Sequence, residues 1–160
     1  MKKIISINNL SKISSKLKSK GKSIVLCHGV FDLLHIGHIR HFEEAKNLGD
    51  ILVVTLTPDR FVSKGPGKPV FNEKLRLEAL AALDVIDFVA LNISPTAVIP
   101  LQELKPNIYC KGSDYKNHLG DISGQIKNEV DTVKKIKGKI IYTSDITFSS
   151  SKLLNRYGNI

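Results

Sequence analysis

The chain has 160 residues, of which 42% are hydrophobic and 24% charged, with a formal net charge of +9; this is the composition of one globular domain. No apolar run approaches the ~20 residues of a membrane span, and the N-terminus lacks the apolar core of a signal peptide, so we expect a cytoplasmic protein without a membrane partner. Both cysteines, Cys27 and Cys110, lie in apolar runs, and we expect them to be buried and reduced.

Most of the net charge comes from the first 22 residues. Residues 1–22 contain seven lysines and no acidic residue, whereas residues 23–160 contain 17 basic and 15 acidic residues. Leu10, Ile13 and Leu17 recur at helical spacing, so we interpret residues 1–22 as a basic N-terminal helix whose lysines are solvated, preceding one domain at 23–160. No nucleic-acid partner is expected. A nucleic-acid-binding protein that uses this basic segment is the alternative.

The rest of the sequence alternates short apolar strands with amphipathic helices. The predicted strands are residues 23–29, 51–57, 87–92, 108–111 and 139–142. The predicted helices are residues 37–48, 72–83, 96–104, 122–136 and 150–157. This alternation predicts parallel strands joined by right-handed crossovers. We expect a Rossmann-like α/β three-layer sandwich with a five-stranded parallel sheet of order 3-2-1-4-5, which binds ligands at the carboxyl ends of its strands.

Residues 27–38, Cys-His-Gly-Val-Phe-Asp-Leu-Leu-His-Ile-Gly-His, contain the strongest functional signal. They lie where the first of these strands leads into a helix, whose free N–H groups favour an anion. Gly29 lets the backbone approach a ligand closely. His35 and His38 then lie beside the anion and can donate hydrogen bonds to a developing charge. The alternatives are a histidine that only caps the helix, a hydrogen-bonded core histidine, and a zinc site made of His28, His35, His38 and His41, which lacks acidic or thiolate support.

The pattern Gly-x-Phe-Asp-x-x-His-x-Gly-His in this segment resembles the signature of the nucleotidyltransferase superfamily with the His-x-Gly-His motif. The resemblance covers most of residues 23–156 and points to two branches, although residues 121–137 have no counterpart in either. The two branches are the adenylyltransferase domain of the bifunctional heptose-phosphate kinase/adenylyltransferase and glycerol-3-phosphate cytidylyltransferase. Residues 64–70, 80–83 and 111–115 look more like the first branch. Cytidylyltransferases usually have Arg-Thr-Glu-Gly before a Ser/Thr run, where this chain has Ser-Asp-Ile-Thr at 144–147.

The resemblance implies three sets of site residues. The catalytic residues are expected to be His35, His38, Lys64 and Arg76. The nucleotide is expected to contact Gly29, Val30, Phe31, Gly37, His38, Lys111, Gly112, Ser113, Asp114, Phe148, Ser149, Ser150 and Ser151. The acceptor is expected to contact Asp32, Asp59 and Lys64. No residue is expected to bind a metal directly, although Asp32 could contact Mg²⁺ through water.

The implied reaction joins ATP or CTP to a phosphorylated sugar or polyol. A phosphate oxygen of the acceptor attacks the α-phosphorus, and pyrophosphate leaves. Because the acceptor phosphate is already an anion, the reaction needs no strong general base, and catalysis comes from positioning and charge stabilisation. We expect Mg²⁺ to accompany the triphosphate, the product to serve cell-surface polysaccharide synthesis, such as lipopolysaccharide or capsule, and the protein to be a homodimer.

Replacing the predicted phosphate-binding lysine tests this assignment. Lys64→Ala is expected to raise the acceptor KM and to lower kcat, because the resemblance places Lys64 on the phosphates, in a glycine/proline loop that orders when substrate binds. Steady-state kinetics of the variant and the wild type measure both constants. If neither constant changed, Lys64 would be only a surface lysine.

Overall fold

The computed structural model describes residues 3–62, 65, 67–113 and 125–144. In these residues a parallel sheet is covered by helices. The strands are β1 (Ile4–Ile5), β2 (Ile24–Gly29), β3 (Ile51–Leu56), β4 (Phe88–Leu91), β5 (Ile108–Lys111) and β6 (Lys139–Tyr142). The α-helices are α1 (Leu10–Lys18), α2 (Ile36–Lys46), α3 (Glu73–Ala81), α4 (Val98–Leu104) and α5 (Gln125–Lys135). Short 3₁₀ turns occupy Ile7–Asn9 and Asp59–Phe61.

The sheet has six strands in the described part of the chain, in the order β1-β4-β3-β2-β5-β6. Every pairing between neighbours is parallel. The predicted five-stranded sheet of order 3-2-1-4-5 is therefore wrong in strand number, because β1 adds an edge strand beside β4. The other five strands keep the predicted order among themselves. Two residues are too few for a periodic signal, so the strand at Ile4–Ile5 could not be found from its pattern.

Helix α3 shows why the observed helices differ slightly from the predicted ranges. Asn72, predicted as the first helical residue, has an extended backbone, and its side chain accepts a hydrogen bond from the N–H of Leu75. Asn72 is therefore the N-cap, and the helix begins at Glu73. The predicted helix at 150–157 lies outside the described residues. No helix in the described ranges is long and apolar enough to cross a bilayer.

The helices divide between the two faces of the sheet. Alternate residues of each buried strand point to opposite faces, and two apolar clusters result. One contains residues of α1, α4 and α5, with Leu10, Leu101 and Val133 among its members. The other contains residues of α2 and α3, including Phe42 and Leu80. The chain therefore has helices on both sides of a buried parallel sheet, which leaves the ends of the strands as the accessible edges.

The N-terminal helix belongs to the core of the domain. Leu10 of α1 is fully buried, and the hydroxyl of Ser14 donates to the carbonyl oxygen of Leu104 in α4. Lys12 and Lys16 of this helix are exposed. Helix α1 thus has the solvated lysines that the sequence predicts, while its apolar side packs against α4.

Helix α1 is expected to contribute to stability. Leu10→Ala should lower the free energy of unfolding by about 2–5 kcal/mol, because it leaves a cavity among well-packed side chains. Lys12→Ala, on the exposed side of the same helix, should change it by less than about 0.5 kcal/mol. Urea unfolding followed by circular dichroism measures both. Equal effects of the two substitutions would show that α1 is not part of the core.

Candidate active site

The candidate site lies at the carboxyl ends of the central strands. β2, β3 and β5 are adjacent and parallel, so the residues after Gly29, Leu56 and Lys111 reach the same edge of the sheet. Helix α2 begins at Ile36, shortly after the end of β2. Such an edge is where open α/β sheets bind ligands.

His35 and His38 form a stacked pair at the start of α2. The ring centroids are 3.9 Å apart and the ring planes differ by 22°. His35 is the N-cap of the helix, and its Nδ1 accepts the N–H of Gly37 at 3.2 Å. Burial lowers the pKa of His35, so its ring is neutral at pH 7. Since Nδ1 accepts, the proton of the neutral ring lies on Nε2, which is therefore a hydrogen-bond donor.

Phe31 supports the second histidine of the motif. Its ring meets the His38 ring edge-on, with centroids 5.4 Å apart and planes at 80°, and also packs on Phe42. The backbone of Phe31 has a φ of 47°, and a Cβ at Gly29 would lie 2.9 Å from the Phe31 ring. Gly29 is thus needed to make room for this ring, a reason different from the close ligand approach that the sequence suggested.

Arg76 is a buried clamp between loops. It is 1% exposed, and its Nε donates to the carbonyl oxygen of Phe71 at 3.0 Å. Its Nη1 donates to the carbonyl oxygen of Val30 at 2.5 Å. Its Nη2 donates to the carbonyl oxygen of Thr57 at 3.1 Å and to Asp59 Oδ1 at 2.5 Å. Through these contacts Arg76 joins the loops after β2 and β3.

Asp32 and Asp59 also hold loops together. Asp32 is 6% exposed, and its carboxylate accepts the N–H groups of Val70 at 2.9 Å and Phe71 at 3.0 Å. The second oxygen of Asp59 accepts the N–H of Glu73 at 3.0 Å. Mg²⁺ prefers carboxylate and water oxygens, but these oxygens are already engaged by backbone and guanidinium donors. Asp32 and Asp59 therefore do not fit the role of direct magnesium ligands.

The side chain of Lys111 points away from α2, into the opposite face of the sheet. Its Nζ lies 2.8 Å from Glu129 Oε2, and the Tyr109 hydroxyl donates to the same oxygen at 2.9 Å. The Ala97 N–H donates to Glu129 Oε1 at 2.9 Å. Burial raises the pKa of Glu129, but the Lys111 charge and the Ala97 amide outweigh it and hold the pKa below its usual value. The backbone of residues 111–113, rather than the Lys111 ammonium, is therefore what β5 presents at its end.

His28, a residue of β2, is within hydrogen-bonding distance of two threonine hydroxyls. Its Nδ1 lies 2.9 Å from the Thr55 hydroxyl, and its Nε2 lies 3.3 Å from the Thr57 hydroxyl. Burial lowers the pKa of His28 to about 4, so the ring is neutral near pH 7. The alternative zinc site of four histidines is not formed: the ligand atoms of His28, His35, His38 and His41 do not converge in the described part of the chain.

Residues 26–156 match the family described as Cytidylyltransferase-like. The chain belongs to this family. The family assignment confirms both the predicted resemblance and the predicted enzyme class, a nucleotidyltransferase.

Two curated relatives of the cytidylyltransferase-like chain are named Bifunctional protein HldE. The protein from Aliarcobacter butzleri is 36% identical over 139 residues, which cover 85% of this chain and 29% of the relative. The one from Citrifermentans bemidjiense is 40% identical over 130 residues, which cover 80% of this chain and 26% of the relative. The chain thus spans less than a third of the length of these two relatives.

Two solved structures share the fold of this cytidylyltransferase-like chain. The lipopolysaccharide core biosynthesis protein from Thermoplasma volcanium superposes with a TM-score of 0.65 at 32% identity, covering 79% of this chain and all of that one. Pantoate-beta-alanine ligase from Francisella tularensis has a TM-score of 0.66 at 21% identity, covering 95% of this chain and 72% of that one. The second likeness shows the fold alone.

The described residues bring together one part of the predicted site. At the start of α2 the His38 ring meets Phe31 and stacks on His35, whose Nδ1 accepts the Gly37 N–H, and Arg76 joins Val30 to Asp59. Six predicted residues lie outside the described residues, namely Lys64, Asp114, Phe148, Ser149, Ser150 and Ser151. The sequence did not indicate His28 as a half-buried neutral histidine or Glu129 as the partner of Lys111. Glu129 lies in a polar helix, where its spacing gives no sign of burial.

The pKa of His28 predicts acid sensitivity. The ring is charged below pH ~6.5 in the unfolded chain and only below about pH 4 in the folded one. The folded state therefore binds fewer protons, and stability present above pH ~6.5 is lost as pH falls toward 4, by up to about 3 kcal/mol. Urea unfolding at pH 7.5 and 4.5 should show this loss, and His28→Gln should reduce it. An unchanged pH dependence in a folded His28→Gln protein would contradict the prediction.

Proposed function

We propose that the chain transfers an adenylyl group from ATP to the phosphate of a phosphorylated sugar. An oxygen of the acceptor phosphate bonds to the α-phosphorus, the bond to the β-phosphate oxygen breaks, and pyrophosphate leaves. The observation that carries the proposal is the stacked His35–His38 pair at the start of α2, in a chain of the cytidylyltransferase-like family.

The chemistry required of this site is electrostatic. The N-terminus of α2 favours an anion through the positive end of its helix dipole, and the neutral His35 ring has its donor on Nε2. The His38 ring is braced by Phe31, so it needs little reorganisation when charge develops on the phosphates. Mg²⁺ bound to the triphosphate would neutralise part of its charge, and we assign the ion no carboxylate from Asp32 or Asp59.

Ser144 supports ATP over CTP as the nucleotide. It stands where the cytidylyltransferases usually have an arginine, and its N–H donates to the Glu44 carboxylate at 3.1 and 3.2 Å. A serine held by a carboxylate offers no guanidinium to the oxygen and ring nitrogen of cytosine. The similarity to HldE proteins over most of this chain favours the same branch.

The similarity to a protein described as acting in lipopolysaccharide core biosynthesis supports a sugar phosphate over a polyol phosphate as the acceptor. We propose that the product serves the synthesis of a cell-surface polysaccharide. A homodimer and a cytoplasmic location belong to the same proposal.

Pyrophosphate release tests the reaction. The full chain with Mg²⁺ and a panel of sugar phosphates should release pyrophosphate with ATP, and only weakly with CTP. Release with CTP alone would refute the choice of nucleotide. Release with neither triphosphate, by a folded protein and across the panel, would refute the proposed function.

The His38 ring is expected to be essential for turnover. His38→Ala should lower kcat by about 10²–10³, the usual cost of losing one preorganised donor, while the thermal midpoint stays near that of the wild type. Glu43→Ala, at an exposed position of the same helix, is the matched control and should leave kcat unchanged. Near wild-type turnover in His38→Ala would contradict the assignment of the active site to the start of α2.

A further inference from the structure

Two cysteines and a histidine meet in the core behind the His-x-Gly-His motif. Cys27 lies in β2, Cys110 in β5 and His41 in α2, one helical turn after His38. Their sulfur atoms and one ring nitrogen of His41 all lie within 4.8 Å of one another. The proposed transfer reaction uses none of these three side chains.

We infer that Cys27, His41 and Cys110 form a binding site for Zn²⁺. The inference is independent of the proposed function, because it rests on three side chains to which the proposed reaction gives no role.

The strand register explains why the two sulfurs meet. Val25 pairs with Ile108 and Leu26 with Tyr109, so the next residues on the two parallel strands are Cys27 and Cys110. Both side chains belong to the apolar cluster on the α2 side of the sheet. His41, a residue of α2, lies on the same side. Zinc–sulfur bonds of about 2.3 Å in a tetrahedral site require a sulfur–sulfur distance of about 3.8 Å. To reach this geometry, the distances between the three ligand atoms must shorten by only roughly 1 Å.

Thr143 orients the imidazole for such a role. Its hydroxyl lies 3.0 Å from His41 Nδ1 and donates to the carbonyl oxygen of Lys111 at 3.5 Å. In the tautomer in which Nδ1–H donates to this hydroxyl, the ring lone pair lies on Nε2. Histidine ligands of metals are commonly fixed in this way, by a hydrogen bond from the other ring nitrogen.

The charges also favour zinc. One Zn²⁺ and two thiols give a dithiolate complex of zero net charge and release two protons. A neutral complex is compatible with an apolar cluster, where an uncompensated charge is costly. Thiolate and imidazole ligands select zinc over Mg²⁺.

A disulfide is the competing use of the two cysteines. Both are free thiols in this structure, and both are buried. Buried cysteines in apolar surroundings react slowly. A disulfide would also give no role to the imidazole of His41, which the zinc site uses as its third ligand.

Cobalt titration of the reduced full-length chain tests the site. Co²⁺ should bind one per chain and give a thiolate-to-cobalt charge-transfer band, which Zn²⁺ then displaces with release of two protons per zinc. The chain has two cysteines, so the band reports on this pair. Cys110→Ala should abolish it, and His41→Gln should weaken cobalt affinity by about tenfold or more. His38→Gln, the matched control, should leave the band and the affinity unchanged.

Three results would overturn the inference. The first is no charge-transfer band in the wild-type chain while its circular dichroism remains native. The second is unchanged cobalt affinity in a folded His41→Gln protein, which would remove the imidazole from the site. The third is loss of both thiols in air with a mass lower by two protons, reversed by a reductant, which would make the pair a disulfide.

Discussion

The arrangement of the candidate site depends on one buried cation. Arg76 is 1% exposed and donates to the carbonyl oxygens of Val30, Thr57 and Phe71 and to the carboxylate of Asp59. Removing a guanidinium from water is costly unless its donors are satisfied, and its planar fork can satisfy several acceptors at once. The donors of Arg76 are therefore satisfied only when the segments after β2, after β3 and before α3 are in their observed positions. Burial of Arg76 thus stabilises this arrangement.

Arg76 is connected to the motif histidines through Val30 and Phe31. Val30, which Arg76 holds, precedes Phe31, and the Phe31 ring supports the His38 ring. Asp32, the next residue, binds the backbone of Val70 and Phe71. The sequence interpretation treated Arg76, Asp32 and Asp59 as groups that contact substrate. Their observed contacts also hold together the loops around His35 and His38, and a rigid frame is what catalysis by preorganised donors requires.

The sequence predicted the parts of this protein that depend on local pattern. Apolar, β-branched runs marked β2 and β3, and the spacing in residues 35–38 marked the start of α2. Features that depend on residues distant in sequence were missed. Glu129 meets Lys111 across 18 positions, and the Cys27, His41 and Cys110 cluster arises only when β2, β5 and α2 pack together. Neither the Glu129–Lys111 pair nor the three-residue cluster produces a periodic pattern in the sequence, and β1 is too short to produce one.

Hydrogen exchange in an Arg76→Lys variant tests the role of the clamp most directly. The N–H groups of Asp59 and Glu73 bond to each other's carboxylates, and a lysine cannot reproduce the guanidinium contacts that hold these residues in place. The account predicts faster exchange at Asp59, Val70, Phe71 and Glu73, with unchanged protection at Val53 and Val54 inside β3. Unchanged protection of the loop amides in a folded Arg76→Lys protein would contradict it.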